Sequence, residues 1–473
     1  MRSLSGVGEG GLIVDSIHGD VHLTKQEREV LDTASFQRLR HIKQLGMGHV
    51  TYPNATHTRF AHSIGVLAIM GRVVGLAPDK LILSDDTAYD LRLAALLHDI
   101  GHYPYSHLVE KLHTVRLTDE IIKTPHPSGR SLDFSGKPFP HHETLGRLVV
   151  TSQPDLLEAL GGLQRAKHIA DIFTRTDTET LQLSKLIHSS LDMDRLDYLR
   201  RDAQATGVPY GEIDANYLLN QLKVSPRGMV GVGRKALPAA EHSLFARFFM
   251  YRAVYRHKTT FGIEEACRQL LRRIHDKGWY DFPQDGQSVE GIARGPKLGT
   301  FTDAYVDGIV QKAAGNQEDE VIAALATSIR HRKPPKLLRE VDVYTKRDTK
   351  YHAGAAFRQD CALKLADLAK EVGIPMGLFL LCETPPLTLE ERPARVSADE
   401  ARELPAETEE ELIKVFVEGE EEPVSIVDLP ESVLHEQADY FFQSVRLYVV
   451  LNETNREQRA KDLRERVRDW GRA

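Results

Sequence analysis

The run Leu91-Arg92-Leu93-Ala94-Ala95-Leu96-Leu97-His98-Asp99-Ile100-Gly101-His102 constrains this chain more than any other stretch. Its apolar residues demand burial, yet it carries an imidazole and a carboxylate side by side into the same interior. A buried carboxylate without a counter-charge is costly, so a positive group is expected between the two. His62 and Asp194 stand at the polar edges of two further segments that read as buried helices. Together His62, His98, Asp99 and Asp194 make a mixed nitrogen and oxygen ligand set, suited to one divalent metal such as Mn, Fe, Zn, Co or Mg. A metal is the simplest group that satisfies all four.

A chain of 473 residues can hold two or three domains and bury a sizeable core. Charged residues at 27% and hydrophobic ones at 41% are an ordinary globular balance. The net charge of -7 argues against bulk capture of nucleic acid or anionic membrane, while leaving room for a local basic pocket. Cys267, Cys361 and Cys382 have no paired spacing, which points to a reducing compartment and no thiolate metal site. The start, Met1 to Gly8, lacks the apolar core of a signal peptide, and no run is long enough to span a bilayer. A cytoplasmic protein is expected.

Periodicity predicts a mainly α fold. Residues 1–22 read as an N-terminal segment with a short strand or loop at Gly11–Val21, and residues 23–335 as a helical core. Helical spacing recurs over Thr24–Gly46, Phe60–Val74, Leu91–Ile100, Glu143–Thr151, Leu181–Asp202 and His242–His275. His113–Pro140, rich in proline and glycine, reads as a long loop beside the proposed site, either a lid or a plain surface insertion. Residues 336–473 read as a smaller α+β lobe. Strands are expected at Val341–Tyr344, Met376–Leu381, Leu412–Val417, Val424–Val427 and Val445–Leu451, with helices at Ala355–Val372 and Glu431–Phe442. An acidic connection spans 390–411, and Asn455–Trp470 reads as a terminal helix.

Two helix faces carry further chemistry. Asp194, Asp197, Tyr198, Arg201 and Asp202 share one face, and Arg247, Tyr251 and Tyr255 share another. A cation for phosphate, rings for a sugar or base and an acceptor for a hydroxyl make the inventory of a nucleotide pocket.

The pattern His62, His98-Asp99, Asp194 resembles that of the HD-domain phosphohydrolases. Three flanking texts are tighter: Phe36-Gln37-Arg38-Leu39-Arg40-His41-Ile42-Lys43-Gln44-Leu45-Gly46, His98-Asp99-Ile100-Gly101-His102-Tyr103-Pro104-Tyr105-Ser106-His107, and Asp192-Met193-Asp194-Arg195-Leu196-Asp197-Tyr198. They resemble the dNTP triphosphohydrolase branch, above all the catalytic core of the SAM-and-HD-domain enzymes, over roughly residues 11–280. No separate SAM domain is expected ahead of the core. The resemblance implies an HD-domain helical core and a metal-dependent enzyme that cleaves a dNTP to deoxynucleoside and tripolyphosphate.

It also implies roles at matching positions. His62, His98, Asp99 and Asp194 would hold the metal, with additional Mg accompanying the nucleotide. Arg59, Arg195 and Arg247 would grip phosphates, where a guanidinium makes bidentate bonds. Gln44 and Asp202 would bond the sugar 3'-hydroxyl, while Leu45 and Tyr255 would crowd the 2' position and exclude ribonucleotides. Tyr198 and Tyr251 would line the sugar or base. His107 would protonate the leaving oxygen, oriented and tuned by His102, Glu110 and His142. Two of these positions depart from the relatives, which carry lysine at Arg195 and aspartate at Glu110.

Regulation is implied as well. The relatives form homo-oligomers, dimers or tetramers, and bind an activating nucleotide between subunits; Asp32, Gln37 and Arg40 match positions used there. Gly11-Leu12-Ile13-Val14 departs from that pattern, as does Ala253, so the activating ligand is expected to differ. A role in dNTP housekeeping or in antiviral defence would follow.

Ordinary readings compete. With 21 histidines, His18, His22, His57, His113, His188 and His352 are expected to be hydrogen-bonded or surface residues. Tyr251 and Tyr255 fit a plain aromatic core equally well. The run Arg330-His331-Arg332-Lys333, with Lys336 and Arg339, reads as a solvated face rather than a nucleic-acid contact. The rival functions are a phosphodiesterase or nuclease acting on single-stranded nucleic acid or a cyclic dinucleotide, and a non-catalytic nucleotide sensor. The match at Arg59, Arg195 and Arg247 disfavours the first, and the completeness of the ligand and acid set disfavours the second.

Overall fold

The protein is described from a computed structural model covering residues 4–76, 83–112, 138–174, 184–187, 191–225, 229–346, 353–390, 412–420 and 422–472. It is mainly α, with a helical core and a mixed carboxy-terminal lobe. The chain opens with an antiparallel hairpin, β1 (Leu12–Asp15) and β2 (Gly19–His22). Helix α1 (Lys25–Leu31) then starts on a capping box, Thr24 accepting from the Glu27 backbone while Glu27 reaches back to Thr24. The expected helix over Thr24–Gly46 is broken. Thr33 caps a new short turn at Ala34, and Arg38–His41 tightens to a 3-10 turn.

Four helices build the centre: α2 (Arg59–Val74), α3 (Asp85–Leu97), α4 (His142–Ser152) and α5 (Leu163–Thr174). Helix α6 (Met193–Thr206) crosses α2, begins on the cap of Asp192 and ends at left-handed Gly207. That cap sets the start of this helix; of the longer helix expected from Leu181, residues 181–183 and 188–190 lie outside the described residues and 185–187 form a turn. Gly65 allows the crossing, because a Cβ there would meet Asp197 Oδ1 at 1.9 Å. After the short hairpin β3 (Leu222–Val224) and β4 (Val230–Gly233) come α7 (Leu237–Met250) and α8 (Lys258–Lys277). The single helix expected over His242–His275 is interrupted by a π turn at Tyr251–Tyr255 and by extended His257, whose side chain caps α8. Helices α9 (Asp303–Ala313) and α10 (Glu320–Arg330) close the core.

The carboxy-terminal lobe is a three-stranded sheet of β5 (Lys336–Lys346), the later strand Tyr440–Val449 and β6 (Phe379–Glu383), in the order β5, Tyr440–Val449, β6. Helix α11 (Ala353–Val372) and the terminal α12 (Arg456–Val467) pack on it. Strands β7 (Lys414–Phe416) and β8 (Val424–Ser425) instead join β3 and β4, with β7 parallel to β4, so this lobe is stitched to the core. The helix expected at Glu431–Phe442 is absent. Residues 431–439 form turns, and Tyr440-Phe441-Phe442 pair along β5 opposite Lys346, Thr345 and Tyr344. An aromatic run suits a pleated surface better than a helix.

Residues 113–137 of the proposed lid at His113–Pro140 and 391–411 of the acidic connection lie outside the described residues, as do His113, His188 and His352. Among the described residues no helix is long and apolar enough to cross a membrane. The three cysteines are buried and free. In the basic run Arg330, His331 and Arg332 are exposed, as a solvated face would be; Arg332 also donates to the Val50 carbonyl, Lys333 donates to that of Asn452, and Lys336 pairs with Glu457 at the surface.

Candidate metal and phosphate site

Helix α3 delivers His98 and Asp99 where its apolar run ends, α2 supplies His62 one turn from its start, and α6 supplies Asp194 in its first turn. The ligand atoms of His62, His98 and Asp194 all lie within 4.8 Å of one another. Asp194 Oδ1 is 2.8 Å from His62 Nε2 and 3.9 Å from His98 Nε2. Asp99 reaches the same space, with 3.7 Å to His62 Nε2 and 3.4 Å to His98 Nε2.

Which ring nitrogens face inward is fixed from behind. His62 Nδ1 donates to Asp197 Oδ2 at 2.7 Å, and His98 Nδ1 donates to the Ala95 carbonyl at 2.8 Å. A carboxylate and a carbonyl can only accept, so each Nε2 keeps its lone pair for the centre. Both Nε2 atoms are buried without a hydrogen-bond partner, although Asp194 Oδ1 stands 2.8 Å from that of His62. Burial depresses the imidazole of His62, yet the carboxylates of Asp194 and Asp197 reverse this and hold it up at about 10, so a metal binding here would displace a proton from Nε2. Burial likewise opposes ionisation of Asp99, but Arg59, His98 and His102 keep it well below the usual carboxylate range. The cluster therefore draws positive charge to its centre. Two unspent imidazole nitrogens and two ionised carboxylates fit a divalent cation.

Sequence reasoning missed the support behind His62. Asp197 is fully buried and also accepts from His18 Nε2 at 2.7 Å and from the Arg201 guanidinium, which in turn grips Asp15. Asp197 and Arg201 therefore serve the hairpin side of α6, while Asp194, Tyr198 and Asp202 serve the cavity side. The signal was present as Asp15, His18 and Arg201, but nothing in their spacing joins them.

A second group abuts the first, since His102 Nε2 lies 3.2 Å from Asp99 Oδ1. Glu110 accepts from His107 Nδ1 at 2.6 Å and from His142 Nδ1 at 2.9 Å. The His102 and His142 rings stack at 4.0 Å. Helix α4 can bring His142 so near because of Gly101, where a Cβ would meet Gly146 N and His142 O at 2.1 Å. The His107 ring is half exposed, yet partial desolvation by its surroundings, with His142 and Arg59 nearby, outweighs the pull of Glu110 and holds it below its ordinary range. His142, also depressed by burial, is raised overall by Glu110. All four sequence-predicted acid and relay residues are thus brought together.

The loop between His102 and His107 is strained and held. Tyr105 and Ser106 have φ of 52° and 54°, left-handed values that cost energy for residues with side chains. Asp303 accepts from the Tyr105 backbone at 2.7 Å, Ser106 Oγ donates to the Lys43 carbonyl, and buried Arg38 donates to the carbonyls of Ile100, His102 and Phe301. Arg59 joins this frame, donating to Asp99 Oδ2 at 2.7 Å and Ser106 Oγ at 3.0 Å. None of Arg38, Ser106 or Asp303 was singled out from the sequence.

The remaining predicted residues line an adjoining polar and aromatic wall. Asp202 accepts from Tyr255 Oη and from His57 Nε2, each at 2.7 Å. His57, read from sequence as an ordinary histidine, thus holds a site carboxylate. Its Nδ1 and Gln44 Oε1 are buried without partners, and the Gln44 backbone N–H donates to the His57 carbonyl. Tyr255 packs edge-on to Tyr198 and Tyr251, with centroids 6.2 and 4.9 Å away. Arg247 lies over Tyr251 and has no ion pair among the described residues. Tyr198 feels Arg195, Arg247 and Asp194 at once. Leu45 is half-buried beneath Gly48. Asp32, Gln37 and Arg40 lie elsewhere, Arg40 bonding Gln37 and stacking on Phe60.

Comparison with known proteins shows what this fold and sequence are similar to. A crystal structure of a phosphohydrolase from Bacteroides thetaiotaomicron superposes with a TM-score of 0.66 at 22% identity, covering 92% of this chain and 99% of that one, which shows the shared fold. An uncharacterized protein of Methanocaldococcus jannaschii is 34% identical over 270 residues, 56% of this chain and 50% of that protein. The human deoxynucleoside triphosphate triphosphohydrolase SAMHD1 is 37% identical over 126 residues, 26% of this chain and 20% of that enzyme. The chain spans about half the length of the curated relative from Methanocaldococcus that it matches. Residues 59–202, which include His62, His98, Asp99 and Asp194, match the HD domain, and residues 213–283 match the HD associated region, so the chain carries an HD domain followed by its associated region.

Proposed function

We propose that the protein is a metal-dependent dNTP triphosphohydrolase that releases a deoxynucleoside and inorganic tripolyphosphate. The observation that carries this reading is one continuous chain of groups. The cluster of His62, His98, Asp99 and Asp194 meets the Glu110 relay through His102, and Tyr198, one turn along the helix from Asp194, lies within electrostatic reach of Arg195 and Arg247. A metal held by His62, His98, Asp99 and Asp194 supplies a Lewis acid that polarises a phosphoryl oxygen and eases ionisation of water.

The side chains do the rest. Arg195 and Arg247 bind the triphosphate, and Arg59, already fixed on Asp99, adds charge at the reacting phosphate. Water attacks the α-phosphorus, the bond to the 5'-oxygen breaks, and His107 Nε2 gives its proton to that oxygen. Glu110 holds His107 Nδ1 and turns Nε2 outward, while His142 shares the same carboxylate. The unpartnered Gln44 Oε1, together with Asp202, receives the sugar hydroxyl. Leu45 and Tyr255 crowd the 2' position against ribonucleotides. Assembly as a homo-oligomer, with a regulatory nucleotide at Asp32, Gln37 and Arg40, belongs to the same proposal.

Chromatography of reactions with all four dNTPs and all four NTPs, singly and mixed, tests this. Deoxynucleoside and tripolyphosphate are expected from dNTPs alone. Pyrophosphate with a deoxynucleoside monophosphate would overturn the reaction assigned here.

A further inference from the structure

A cavity of about 480 Å³ opens on the opposite side of α2 and α6 from the cluster, against the amino-terminal hairpin. Its size falls within the roughly 300–1,000 Å³ usual for small-molecule sites. Arg72 from α2 and Arg200 from α6 stand in its wall, with His18 and apolar Val21 and Ala68.

The arginines are the telling part. Elsewhere in this region guanidiniums are matched to carboxylates: Arg92 to Glu27, Arg201 to Asp15 and Asp197, Arg165 to Asp90 and Arg147 to Asp171. Arg72 bonds only the amide oxygen of Asn216, and neither it nor Arg200 has an ion pair among the described residues. The two are near enough that Arg200, together with burial, pushes Arg72 below its ordinary value. Three arginines line the cavity, Arg92 being spent on Glu27, and Asp20 is the only carboxylate among the described lining residues, so two unmatched like charges face one opposing charge. In a chain of net charge -7 such an arrangement is a local exception, of the kind that recognises anions.

We propose that this cavity binds a phosphorylated small molecule, its phosphoryl oxygens on Arg72 and Arg200 and its organic part against Val21 and Ala68. The site is separate from the substrate cavity proposed above and does not depend on that reading. His18 belongs to both neighbourhoods, lining the cavity and donating to the carboxylate behind His62.

Calorimetric titration of inorganic tripolyphosphate and of ATP into the metal-free full chain tests the proposal. Both should bind, and Arg72→Gln combined with Arg200→Gln should weaken a binding event at least tenfold. The same pair changed to lysine should retain it within a few-fold, with all melting temperatures alike. Wild-type affinity in the glutamine pair, or no binding to the wild-type chain at millimolar probe, overturns it.

Discussion

Asp197 Oδ2 lies 2.7 Å from His62 Nδ1, and this contact decides which nitrogen of His62 faces Asp194. The carboxylate is buried and held in turn by His18 and Arg201, so it cannot swing away without breaking several bonds. The Nε2 of His62 is thereby turned toward Asp194 and His98 by residues on the far side of the ring.

Asp197→Asn should accordingly weaken metal binding while leaving the chain folded. Loss of a partner behind a metal-ligating histidine costs roughly ten- to a hundredfold in affinity. Chelator competition with Mn on the purified variant reads this directly, and unchanged affinity would remove Asp197 from the account.

Substrate binding near neutral pH should take up protons. Without ligand His107 is held below its ordinary range and is neutral at pH 7. A triphosphate arriving beside it favours the charged ring, so the pKa rises on binding and a proton enters; the uptake should shrink as pH falls toward the depressed value. Calorimetry of a non-hydrolysable dNTP analogue in buffers of different ionisation enthalpy measures it. No uptake in the wild type, or equal uptake in His107→Gln, contradicts the assignment.

His107→Ala should lower kcat by roughly 10²- to 10⁴-fold, the usual worth of a general acid, without loss of metal. Metal loss in this variant would place His107 among the ligands instead.

Gly101→Ala should be disproportionately harmful. The added methyl would overlap Gly146 N and His142 O, so α4 must retreat from the HD loop. Overpacking of this kind costs roughly 1–3 kcal/mol. Denaturant unfolding should show that loss, and stability equal to wild type would mean the helix contact is looser than described.

The candidate metal cluster was legible because burial and charge conflict visibly at His98-Asp99, whereas Glu110, His102 and His142 behind His107 came from the family resemblance and not from any local pattern. Helix α2 and the run Ala353–Val372 were legible from their apolar spacing. What was not legible depended on distance along the chain. His18 meets Asp197 and Arg38 meets Phe301 only after folding, and no local pattern records such pairs. The π turn at Tyr251–Tyr255 and the strand at Tyr440–Phe442 were hidden for a related reason: helical periodicity continues through both, and tertiary pairing overrides it.

The most direct test is anomalous diffraction above and below the manganese edge from manganese-loaded crystals. The account predicts a single strong peak at bonding distance, about 2.0–2.3 Å, from the Nε2 atoms of His62 and His98 and from the oxygens of Asp99 and Asp194, and its loss in His98→Ala. Loaded crystals with no peak among these four residues would contradict it.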